Sequence, residues 1–104
     1  MNEKVQKLLK DMRTDPCMYI GEYSMTKFGM YLQGYLHACM DLDKDFIRPK
    51  EFALFRNRLA KKYHNLKSIW IDGLVLEKAE GDEEQAFHLF WQEWDEFCKE
   101  NLNE

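Results

Sequence analysis

The segment GDEEQAFHLFWQEWDEF, Gly81 to Phe97, constrains the fold more than any other part of the chain. Phe87, Phe90, Trp91, Trp94, Phe97, Cys98 and Leu102 recur at steps of three and four, which is the spacing of one helical face. A stripe this rich in rings cannot stay in water. A chain of 104 residues must bury it under several other elements, and that length supplies one core rather than two. Gly81 breaks the preceding chain, Asp82 or Gly81 caps the helix, and Glu83 and Glu84 suit its positive N-terminal end.

The rest of the chain offers helical partners for that stripe. Residues 2–13 place Val5, Leu8, Leu9 and Met12 on one face, and Thr14, Asp15 and Pro16 end the helix. Pro16 to Gly21 reads as an apolar loop in which Met18, Tyr19 and Ile20 plug the core, with Ser24 as the next N-cap. From Met25 to about Leu42, Phe28, Leu32, Tyr35, Leu36 and Cys39 share a helical period, while Lys27, Gln33, His37 and Asp41 take the other side. Gly29 and Gly34 interrupt this helix, each costing up to ~1 kcal/mol relative to alanine. That cost implies close approach by another element, the preceding loop being the nearest.

Pro49 is placed to start a further helix, striped by Phe52, Phe55, Leu59 and Tyr63 and made basic by Arg56, Arg58, Lys61 and Lys62. Residues 68–79, SIWIDGLVLEKA, suit a buried helix or a strand by periodicity alone. No second strand candidate exists to pair with them, which favours a helix of about three turns. The expectation is an all-α, single compact domain over residues 1–104, built from about five helices.

The histidines and cysteines give little support to chemistry. His37, His64 and His88 fall on three different expected helices, without the i, i+4 spacing that sets two ligands on one face, so no metal site is expected. Cys17 has no activating base near it in sequence, and Cys39 and Cys98 lie on or beside apolar stripes. With no C-x-x-C spacing, the three thiols read as reduced, in a cytoplasmic protein. Gly21 alone between Pro16 and Ser24 is too little for a phosphate cradle. The expectation is a non-enzyme with no cofactor. The charged N-terminal segment fits neither a signal nor a transit peptide, and no apolar run approaches the ~18 residues of a membrane span.

Charge is distributed unevenly. The net charge of −4 resolves into +4 over residues 1–76 (13 Lys+Arg, 9 Asp+Glu) and −8 over residues 77–104 (2 Lys+Arg, 10 Asp+Glu). The acidic end would repel a phosphate backbone and attract a basic surface, which argues against direct nucleic-acid binding. The plainer reading of such a run is a solvated helix face, as it is for the basic stretch from Arg56 to Lys62.

The order of Pro16, Met18, Tyr19, Ile20 and Gly21, then YLQGYLHA with Leu32, Gly34, Tyr35 and Ala38, then FRNRLAKKYHN, then the acidic aromatic end, resembles a known group. It is similar to small bacterial immunity proteins of polymorphic toxin and contact-dependent growth inhibition systems. The chain departs from that pattern at Asp15, where a basic residue is usual, and at Cys17, where glycine is common. The resemblance implies a protein that occupies a cognate toxin domain without performing chemistry. Many such toxins are nucleases with basic grooves, which an acidic face would complement.

On that reading the candidate partner contacts are Asp82, Glu83, Glu84, Glu93, Asp95, Glu96 and Glu100. Asp95, Glu96 and Glu100 should project from the last helix, with Glu93 at the edge of its aromatic stripe. The alternative is an all-α adaptor or regulatory subunit without a toxin partner. The aromatic surplus also leaves room for an exposed apolar patch covered by a partner or a second copy of the chain.

Overall fold

The computed structural model describes residues 1–101. It contains six helices and, among the described residues, no strand: α1 Glu3–Thr14, α2 Pro16–Ile20, α3 Met25–Leu42, α4 Lys50–Lys62, α5 Ile71–Lys78 and α6 Glu83–Asn101. Leu102, expected at the end of the aromatic stripe, lies outside the described residues.

Helix α6 is the axis of the core. Phe28 of α3 packs its ring against Phe87, Phe90 and Trp91, with centroids 5.7, 5.0 and 5.6 Å apart. From the other side, Phe55 of α4 meets Phe90 at 5.6 Å, Trp94 at 5.0 Å and Phe97 at 5.4 Å, while Phe52 stacks on Trp94. Several of these pairs are edge-to-face, each contributing ~0.5–1.5 kcal/mol beyond the area it buries. Val5, Leu8, Leu9 and Met12 of α1 complete the core, as their spacing requires.

The ends of the helices follow local chemistry. Ser24 caps α3 by accepting from Lys27 N, and Asn2 caps α1 through Lys4 N. Gly81, with φ of +85°, turns the chain into α6, where Asp82 Oδ1 accepts from Gln85 N at 3.0 Å. Residues 68–79 are helical only over Ile71–Lys78, two turns rather than three.

Two expectations are corrected around Pro16. The stretch from Pro16 to Ile20 is not a loop but the short helix α2, one more than the five expected, because proline at the first position tolerates its missing N–H and Gly21, at φ +79°, ends the turn in the left-handed region. Nor do its apolar side chains plug the core. Pro16 is buried and Ile20 packs at the core margin, but Met18 is 78% exposed and Tyr19 lies on the surface.

Gly29 and Gly34 also part company. A Cβ on Gly29 would sit 2.9 Å from Asp72 Cβ, so this glycine admits the N-terminal end of α5, not the preceding loop. A Cβ on Gly34 would meet nothing within 4 Å, so here no element approaches. Gly34 opens on the surface.

Candidate partner-binding surface

The seven candidate carboxylates do not form one free acidic face. Glu93 is only 4% exposed, inside the seam between α4 and α6 rather than at the stripe's edge, which corrects the expected placement. Position 93 lies one turn from the buried Phe90 and Phe97 on the same side of α6, so the helix carries the carboxylate inward. Tyr63 donates its hydroxyl to Glu93 Oε2 at 2.6 Å, and Lys62 Nζ donates to Oε1 at 2.9 Å. Arg58 Nη1 reaches the same oxygen at 3.4 Å.

These contacts decide the ionisation of the seam. Burial pushes the Glu93 carboxyl upward, but the Tyr63 hydroxyl, the Lys62 ammonium and the Arg58 guanidinium outweigh it and hold the group below its ordinary range. Burial raises Tyr63 strongly, and the hydrogen bond to Glu93 adds to that, so its hydroxyl stays a donor. Glu96 and Glu100 extend the seam outward. Arg58 Nη2 donates to Glu100 Oε1 at 2.9 Å, and Lys62 Nζ lies 3.3 Å from Glu96 Oε2. Arg58 and Lys62 of α4 are therefore counter-charges for α6, while Lys61 is exposed with no ion-pair partner among the described residues. Arg56 of the same helix is also structural: its side chain donates to the Ile69 and Lys67 carbonyls at 2.8 and 2.7 Å.

The remaining candidates divide. Arg13 of α1 holds Asp95 with both guanidinium nitrogens, at 2.7 and 2.5 Å, and this hydrogen-bonded pair lowers the Asp95 carboxyl. Glu83 fastens α6 to the start of α3, accepting from Thr26 N at 2.8 Å, Thr26 Oγ1 at 2.5 Å and Ser24 Oγ at 3.1 Å. Burial raises the Glu83 carboxyl, and these donors at a helix N-terminus bring it below its usual value. Asp82 and Glu84 stay exposed, Asp82 as the cap and Glu84 with His88 Nε2 at 3.7 Å.

A groove of about 390 Å³ lies between α1 and α6, bordered by Leu9, Arg13, Trp91, Trp94, Asp95 and Cys98. The Arg13 guanidinium sits 5.1 Å over the Trp91 ring, whose buried indole N–H has no partner among the described residues. Burial raises the Cys98 thiol here, disfavouring the thiolate. Among the described residues, no group of three or more His, Cys, Asp or Glu is arranged to hold a metal ion. No helix among them is long and apolar enough to cross a membrane.

A second exposed surface is on α2 and α3. Met18, Tyr19, Met30, Tyr31, Met40 and Leu42 are all exposed there. The Tyr19 and Tyr31 rings meet edge to face at 5.9 Å, joining the two helices on the outside, and Tyr19 is steadied by its hydroxyl, 3.2 Å from Asp11 Oδ2. Sequence reasoning passed over this face. Its signal was Met30 and Tyr31, large side chains standing off the buried stripe, together with Gly34 between them and Ala38. No protein-family model, curated protein or solved structure matches the chain.

Proposed function

We propose that this chain is an immunity protein that binds and neutralises a cognate bacterial toxin domain whose working surface is basic. The observation that carries the reading is the acidic excess of the chain, together with the engagement of its arginines by its own groups. Arg13, Arg58, Lys62 and Lys67 are engaged by carboxylates of the chain itself, while Arg48 and Arg56 bind Gln33 and backbone carbonyls. Exposed carboxylates at Asp41, Asp43, Asp45, Asp82 and Glu84 remain alongside exposed lysines such as Lys10, Lys44, Lys50, Lys61 and Lys99, and the balance is a net charge of −4. Such a surface complements a phosphate-binding groove and accelerates encounter with it.

Binding alone accomplishes the neutralisation. A folded domain seated on a basic groove excludes the substrate by volume and replaces its charge, so the chain needs no nucleophile or general base of its own. The test is co-expression with the toxin domain encoded by the adjoining reading frame. The proposal predicts restored growth and a co-purifying complex whose affinity falls as salt is raised. Absence of both rescue and complex would remove this function.

A further inference from the structure

Resting on that functional reading, we infer that the partner docks on the exposed face of α3, with Tyr19 of α2 at its edge, and not on α6. The partner is a protein surface presenting an apolar helix or loop flanked by lysine or arginine side chains.

Three observations support this docking site. The first is the shape of the face. Positions 30, 31, 34, 38 and 41 lie on one side of an α-helix, and Met30, Tyr31, Gly34, Ala38 and Asp41 are all exposed. Met30 and Tyr31 stand beside a glycine whose missing side chain leaves space that no other part of the chain uses. A mid-helix glycine costs ~0.5–1 kcal/mol relative to alanine, and inside this chain nothing offsets that cost. Gly29, on the opposite side, shows the ordinary return, since α5 packs against it.

Charge is the second. Asp41 is in the last turn of α3, Asp43 is its C-cap, and Asp45 follows; all three are exposed and none has an ion-pair partner among the described residues. The last turn holds no basic residue, and the exposed Lys44 between Asp43 and Asp45 offsets only one of the three charges. The C-terminal pole of a helix is already negative, so these carboxylates raise a field that an external cation would relieve. The acids of α6, by contrast, are mostly answered from within.

Apolar and acidic groups also alternate here. Leu42 is 87% exposed and Ile47 is 83% exposed, next to those same carboxylates. Lysine and arginine suit such a mixture, because their aliphatic stems cover apolar surface while their heads meet the acids. A second copy of this chain fits less well. A two-fold contact would answer the acids with the same face, which sets only Lys44 and the already paired Lys27 against three carboxylates.

Affinity for the toxin domain from the adjoining reading frame tests the inference, with Ala38→Arg, Asp41→Asn/Asp45→Asn and Glu96→Gln/Glu100→Gln compared with the unaltered chain. Position 38 is exposed in a helix, so Ala38→Arg should fold, and an unchanged denaturation midpoint would verify it. Ala38→Arg should weaken binding by about 50-fold or more, as expected for a charge placed at the centre of an interface. The Asp41/Asp45 pair should slow association by about 5- to 10-fold and flatten its salt dependence. The Glu96/Glu100 pair should stay within about twofold.

Equal binding by Ala38→Arg and the unaltered chain would overturn the docking site while leaving the function intact. So would a strong loss confined to the Glu96/Glu100 pair. Micromolar dimers in sedimentation that Ala38→Arg converts to monomers would assign the face to a second copy instead. If the unaltered chain failed to hold the toxin domain at all, the functional reading itself would fail, and this inference with it.

Discussion

The seam between α4 and α6 and the outer face of α3 treat polar and apolar groups in opposite ways. In the seam, charges stand next to aromatic core residues, yet each carboxylate has a counter-charge or hydroxyl from across the interface. On α3, large apolar groups face solvent, and Asp41, Asp43 and Asp45 at its C-terminal end have no ion-pair partner among the described residues. The difference teaches that density of charge does not mark a working surface. Under the docking proposed above, what marks it is charge and apolar area that the fold itself does not use.

The sharpest way to break this comparison is to disturb the seam. Glu93→Gln should destabilise the chain by about 2–3 kcal/mol in denaturant unfolding at pH 7, because it leaves Lys62 and Arg58 beside a group that no longer answers them. Partial exposure of Lys62 and Arg58 keeps the figure below that of a fully enclosed pair. A smaller effect comes from the inner side of α3. Gly29→Ala would drive a methyl group into Asp72 Cβ and should cost about 1–2 kcal/mol, after helix propensity returns part of the overpacking penalty. Its outer counterpart, Gly34→Ala, meets nothing and should raise stability by about 0.5–1 kcal/mol, so the two variants should shift the unfolding midpoint in opposite directions. The exposed rim of the seam should matter least. Glu100→Gln is expected to change stability by less than about 1 kcal/mol, since a surface ion pair is weak in water.

Much of the fold is legible in the sequence because helices α1, α3, α4 and α6 each carry an apolar stripe of unambiguous period, and Ser24 and Gly81 supply their ends. The shortest elements are less legible. Helix α2 has five residues, too few for a period, so proline chemistry alone marks it. Helix α5 begins only at Ile71, which is fully buried, with Trp70 at its N-cap and at the core margin, and Ser68 and Ile69 stay outside the helix. The candidate site was least legible of all. Glu93 and Tyr63 are 30 residues apart, and Arg13 and Asp95 are 82 apart, so nothing local announces that the acids of α6 have internal partners. Met18 and Tyr19 look like core residues in sequence, and only the placement of α2 on the outside of α1 and α3 exposes them.

The ionisation of Glu93 tests most directly whether the acids of α6 act as internal fasteners. Its carboxyl carbon can be followed by nuclear magnetic resonance through an acid titration. Because the folded-state value is lowered from the ordinary 4.5, the group stabilises the fold fully above that value, and the contribution fades as pH falls through the folded value. The seam described here predicts a midpoint below 4.5, and an acid-induced loss of stability that is shallower in Glu93→Gln. A midpoint at or above 4.5, with the same acid profile in both proteins, would contradict it.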